Sequence, residues 1–211
     1  VQKIISKGNT PAGMHISICV KEILDFLQIQ PGQKGLDATL GYGGHTKEML
    51  KCLDGKGHVY GLDVDAIEIE KTTKRLRDQG FGEDILTVIR TNFANIDEVA
   101  KTHGPFDFML ADLGVSSMQI DNPERGFSYK TDGPLDLRLN PTAGTSAAER
   151  LKELTEEEFQ WMLVENSDEP YADRIAKTVM RELKTGKKVD TTTRLRELIE
   201  ESLTFLPEKE R

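Results

Sequence analysis

Four short apolar runs, set apart by stretches of helical composition, constrain this chain more than any other feature. The runs cover residues 35–38, 58–62, 85–89 and 106–111; the last three close on Asp63, lead to Asn92-Phe93 and close on Asp112. Residues 66–79 and 96–103 have helical composition, and Met49, Leu50 and Leu53 mark one face of a helix after the first run. Strands alternating with helices imply a parallel sheet with crossover helices, whose ligands sit at the carboxyl ends of the strands. The residues at those ends are therefore the ones to weigh for chemistry.

The first end reads Leu-Asp-Ala-Thr-Leu-Gly-Tyr-Gly-Gly-His over residues 36–45. Asp37 ends the apolar run, and Gly41, Gly43 and Gly44 stand where a helix begins. Glycine permits positive φ and close approach of a ligand. The helix would aim its unpaired N–H groups at whatever the loop holds. A dinucleotide fingerprint wants glycine at the first, third and sixth positions, and the sixth from Gly41 is Thr46. G-x-G-G with an acid four residues upstream is instead similar to motif I of S-adenosylmethionine (SAM) dependent methyltransferases. A cationic sulfonium gains from a carboxylate such as Asp37, whereas a pyrophosphate needs anion-binding amides. A strand-to-helix turn that binds nothing is the plainer alternative for so short a motif.

Asp63 follows the glycine loop by about 20 residues, where an acid accepts ribose hydroxyls in nucleoside-binding sheets. Asp65 serves equally well as a helix cap. Phe93 offers an aromatic face to an adenine ring, although a single Phe is more often core. The fourth run opens into a polar turn, Asp112 to Ser116 and Ser117, whose acceptors suit a target amine. After it come Arg125-Gly-Phe-Ser-Tyr129 and Asp132-Gly-Pro-Leu-Asp136-Leu-Arg138, too rich in aromatic and apolar residues for a linker.

The segments DATLGYGGH, GLDVDA, NF, DLGVSSMQID and RGFSYKTDGPLDLRLNPTAGTSAAE resemble, in order, the signatures of the bacterial MraW (RsmH) family. The resemblance implies SAM-dependent methylation of N4 of a cytosine in the decoding region of 16S ribosomal RNA. It implies a Rossmann-like class I methyltransferase sheet, partial here with strands 1–4, and an all-helical insert domain. SAM contacts would fall on Gly43, Gly44, His45, Asp63, Phe93, Asp112 and Gln119, with Asp37 and Gly41 completing the loop. Asp112, Ser116 and Ser117 would carry the catalytic turn, and Arg125, Phe127, Tyr129, Asp136 and Arg138 would face the substrate. The implied partner is 16S ribosomal RNA within the small ribosomal subunit, with a homodimer left open. A SAM- or nucleotide-binding module without catalysis is the alternative. Family members continue with further strands that nothing after Thr193 supplies, and the first residue is Val1, so a fragment is expected. Four strands alone would leave the edge beside the fourth unpaired.

Residues 1–120 are expected to form the SAM-binding domain, and residues 121–211 a loop and helical domain for substrate recognition. Val20, Ile23, Leu24 and Leu27 mark an early amphipathic helix, after a lead-in over residues 1–14 with little periodicity. Ser146 with Glu149 and Thr155 with Glu158 form capping boxes before apolar stripes that read as an all-helical core. Residues 181–196 hold Arg181, Lys184, Lys187, Lys188, Arg194 and Arg196 against Glu182 and Asp190, which suits either RNA phosphates or a solvated turn. A formal charge of −8 argues against a protein that coats nucleic acid by overall charge. His15, His58 and His103 lack metal-ligand spacing, and Cys19 and Cys52 suggest neither a metal site nor a disulfide framework. With no apolar run long enough for a membrane span, a soluble cytoplasmic protein is expected.

Overall fold

The structure is a computed structural model that describes residues 17–207. The lead-in over residues 1–14 lies outside them. The chain divides into two compact units between Ser116 and Ser117.

The first unit is a parallel sheet wrapped by helices. Helix α1 (Val20–Leu27) precedes β1 (Lys34–Asp37), α2 (Gly44–Leu53), β2 (His58–Asp63), α3 (Ala66–Asp78), β3 (Leu86–Arg90), α4 (Ile96–His103) and β4 (Phe108–Leu110). The strands lie in the order β3-β2-β1-β4, all parallel. This is a Rossmann-like α/β sheet, and the order reverses between β1 and β4. The tips of those two strands therefore flank the crevice where open sheets of this kind bind ligands.

Period-two alternation sorts the strand side chains onto two faces. Val59, Leu86 and Phe108 join Met49, Leu50, Leu53 and Leu76 of α2 and α3 on one face. Leu36 and Leu62 meet Val99 of α4 on the other. Gly35 admits the Phe108 ring across β1, since a Cβ there would overlap that ring. Met109, between the two inward residues of β4, is half exposed at the outer strand. The edge of β4 away from β1 has no strand beside it among the described residues.

The second unit holds a short helix α5 (Ser117–Ile120), then α6 (Ala147–Glu153), α7 (Glu156–Ser167), α8 (Ala172–Lys184) and α9 (Thr192–Ser202). Both expected capping boxes form, at Ser146–Glu149 and Thr155–Glu158. Its core joins Leu151, Phe159, Ile175, Val179, Met180, Val189 and Leu198. Leu135, from the loop ahead of α6, is buried in the same cluster. That loop is stitched to the start of α9: Pro134 bridges Thr191, and Leu135 N–H donates to the Asp190 carbonyl at 2.8 Å.

Candidate functional site

The glycine loop between β1 and α2 is held from beneath and from the side. Asp37, only 1% exposed, accepts from the Thr46 hydroxyl at 2.5 Å and from the Thr39 amide at 3.0 Å. Burial pushes its carboxyl above the ordinary value, and the hydrogen bonds from Thr46 and Thr39 oppose that. Both oxygens are thus engaged by the loop itself, so Asp37 sets the shape of the turn. Thr46, where a dinucleotide fingerprint would place glycine, is the buried donor that satisfies it.

From the side, α3 grips the loop carbonyls. The Thr72 hydroxyl donates to Gly41 O at 2.7 Å, Arg75 donates to Tyr42 O, and its guanidinium lies 3.5 Å over the Tyr42 ring. Gly41 and Gly43 have φ of 46° and 73°, and a Cβ on Gly43 would lie 2.7 Å from Thr72 Cγ2. Gly44 packs under Ser17, whose hydroxyl a Cβ there would overlap. Residues Thr39, Thr72 and Arg75 were not read as functional from sequence. Only the i, i+3 spacing of Thr72 and Arg75 on one face of α3 hinted at them.

The β2 and β4 tips are fastened to this loop, and the β3 tip leads to an exposed aromatic. Asp63 accepts from the Gly41 amide at 2.7 Å with one oxygen and from the Asp65 amide at 2.9 Å with the other. Asp65 is the buried N-cap of α3, accepting from the Ile67 and Glu68 amides. Phe93 opens a single turn of 3₁₀-helix capped by Asn92 and is 46% exposed. Asp112 follows β4; its amide donates to the Thr39 hydroxyl at 2.8 Å, while its side chain is 46% exposed. One hydroxyl therefore registers the β4 tip against the β1 tip. His45 is buried in the first turn of α2, its Nε2 donating to Ile18 O at 2.9 Å and its Nδ1 lying 3.7 Å from Asp112.

The remaining expected residues belong to the second unit, apart from Ser116, which is partly buried at the end of the first. Ser117 and Gln119 lie on α5. Arg125 is buried, and its guanidinium donates to the carbonyls of Arg138 at 3.1 Å and Leu139 at 2.8 Å. Arg138 forks onto Asp136 at 2.9 and 2.6 Å and holds that carboxyl below its ordinary range. These three charges brace the loop internally. Phe127 is half-buried with Arg125 near its ring face, and Tyr129 is exposed.

The basic stretch over residues 181–196 is largely neutralised. Arg181 pairs with Glu201, Lys184 with Glu156, Lys187 and Arg194 with Glu182, and Arg196 with Glu200. Of the six, Lys188 alone has no ion pair among the described residues. The solvated-surface reading is the one this pairing favours. No group of three or more His, Cys, Asp or Glu among the described residues is placed to hold a metal. No described helix is long and apolar enough to cross a membrane.

Comparison with known proteins places residues 12–211 on the profile of the MraW methylase family. The chain is 67% identical over 210 residues to "Ribosomal RNA small subunit methyltransferase H 1" of Lachnoclostridium phytofermentans, covering 100% of this chain and 57% of that one. It is 65% identical to the protein of the same name from Agathobacter rectalis, covering 100% of this chain and 60% of that one. Identity is 59% to "Ribosomal RNA small subunit methyltransferase H 2" of Alkaliphilus metalliredigens, over 100% and 60% of the two chains. The chain therefore spans less than two thirds of the length of these relatives.

Proposed function

The chain belongs to the MraW methylase family, and from that premise we propose that it carries the cofactor crevice and substrate loop of a SAM-dependent ribosomal RNA methyltransferase. The target is N4 of a cytosine in the decoding region of 16S ribosomal RNA, met within the small subunit. One observation carries the reading: Asp112 presents a solvent-facing carboxylate at the β4 tip while its amide is fixed to Thr39 at the β1 tip, where strand order reverses.

The residues present fit the cofactor. The loop turns at Gly41 and Gly43 with positive φ, and a side chain at Gly43 would be strained and would crowd Thr72. Asp63 at the β2 tip suits the ribose hydroxyls and Phe93 the adenine face, with Gly43, Gly44 and His45 completing the set in this unit. Asp37 acts from below by fixing the turn. When bound, SAM supplies an electrophilic methyl group.

Exocyclic N4 is a weak nucleophile because its lone pair is delocalised into the ring. Asp112 accepts a hydrogen bond from the amine, which favours the localised lone pair and stabilises the positive charge that grows on nitrogen. Ser116 in the following turn orients the base, held near attack distance once it leaves its stack.

Transfer of label from SAM to small ribosomal subunits, with nucleoside analysis of the product, tests this. Asp112→Ala should lower turnover by about 10²–10³-fold, the scale of losing one group aimed at developing charge, with SAM still bound in calorimetry. Undiminished methylation by that variant removes Asp112 from the mechanism, and SAM binding without any transfer leaves a non-catalytic module.

A further inference from the structure

We propose that Leu137 is a specificity-determining residue that lays an apolar surface against a nucleobase of the RNA substrate; this rests on the methyltransferase reading above. Among the described residues, five non-glycine residues have positive φ: Cys19, Gln28, Asp54, Leu137 and Asp168. Four of them sit at helix ends, Cys19 as the N-cap of α1 and the other three as C-caps, where the left-handed conformation is ordinary. Leu137, with φ of 61°, does not. A γ-branched side chain is a poor occupant of that region, where Gly or Asn is at ease.

The surroundings force the conformation from both sides. Leu137 N–H donates to the Arg125 carbonyl at 3.2 Å, and the buried Arg125 guanidinium takes the carbonyls of the next two residues, Arg138 and Leu139. The Arg138–Asp136 fork closes across Leu137, and Leu135 is sunk in the helical core just before it. Strained backbone persists where its surroundings over-determine it, and such places cluster at functional sites. What the strain delivers here is an apolar side chain left 44% exposed. Neither the backbone nor the burial of this residue favours leucine within the chain.

The chemistry of the segment points to a base rather than a phosphate. The cations that flank it, Arg125 and Arg138, are spent on carbonyls and on Asp136, so the surface at Leu137 itself is apolar with both neighbouring guanidiniums engaged. A base taken out of its stack exposes apolar faces that need cover.

The test uses the protein at its full natural length. Leu137→Gly and Leu137→Asn both suit positive φ and remove the apolar group, whereas Leu137→Met keeps it. We expect both polar-or-small variants to melt no lower than the parent and bind SAM equally. Their KM for small subunits should rise about tenfold, the effect of losing cover for part of a leucine-sized surface. Leu137→Met should keep the parental KM. Unchanged KM in the Gly and Asn variants overturns the inference while leaving the methyltransferase reading intact, as does a loss of SAM affinity that tracks a lower melting temperature. A parent protein that transfers no methyl group to RNA overturns both.

Discussion

Residue by residue, the glycine turn is fastened by groups that are buried or half-buried. Asp37 is the clearest case: its burial raises the carboxyl from an ordinary 3.8, so the folded state holds the proton more tightly than the unfolded chain. Stability from this group therefore falls as pH rises from about 3.8 to the raised value and stays lower above it. Asn in its place keeps an acceptor for the Thr39 amide and offers Thr46 a donor, without a buried charge. We expect Asp37→Asn to gain on the parent in thermal unfolding as pH rises through that window, and to be at least as stable at neutral pH. A variant that loses ground with rising pH would show that the charge itself is held favourably. Asp37, Asp63, Phe93 and Asp112 were legible as strand-tip residues from the apolar runs alone. Their fastening to Thr39, Thr46, Thr72 and Arg75 was not, because a hydroxyl or guanidinium reaching a loop carbonyl leaves no periodic mark in the chain.

At the scale of elements, local chemistry was a good guide. Helix α4 spans the expected residues 96–103, β2 runs from His58 to its closing acid, and both capping boxes form. Each box ties a hydroxyl to one amide and a glutamate to another; at α7, Thr155 N–H meets Glu158 at 2.8 Å. We expect Thr155→Ala to cost about 1 kcal/mol in urea unfolding, the usual worth of an N-cap. The Thr155 amide also holds Glu158 below its ordinary 4.5, so this support is present above that pH and fades as acid protonates the carboxylate. Leu135 marks where local reading stopped. A leucine between Pro134 and Asp136 reads as loop, yet it is a core residue of the helical unit, because only the three-dimensional pairing of Pro134 with Thr191 carries it there.

For the molecule as a whole, charge is the property most easily misjudged from the chain. A window over residues 181–196 shows six cations against two acids, but Glu156, Glu200 and Glu201 reach in from elsewhere and pair with three of them. With −8 overall, phosphate attraction is a weak lever for this protein. Each phosphate contact steepens the fall of RNA affinity with salt by about 0.7–0.9 in log–log slope. Replacing both Lys184 and Lys187 with Ala should leave that slope at the parental value in filter-binding titrations; a shallower slope would restore the stretch as an RNA contact. The sheet adds a matter of timing. Thr39 and Asp112, joined by one hydrogen bond, lie 73 residues apart, and β4 reaches its place only after three earlier strands have been laid down in sequence. Loop closure over that distance is slow to be rewarded. The two banks of the crevice are thus joined by the longest-range strand pairing of the described sheet, the one whose closure costs the chain most entropy.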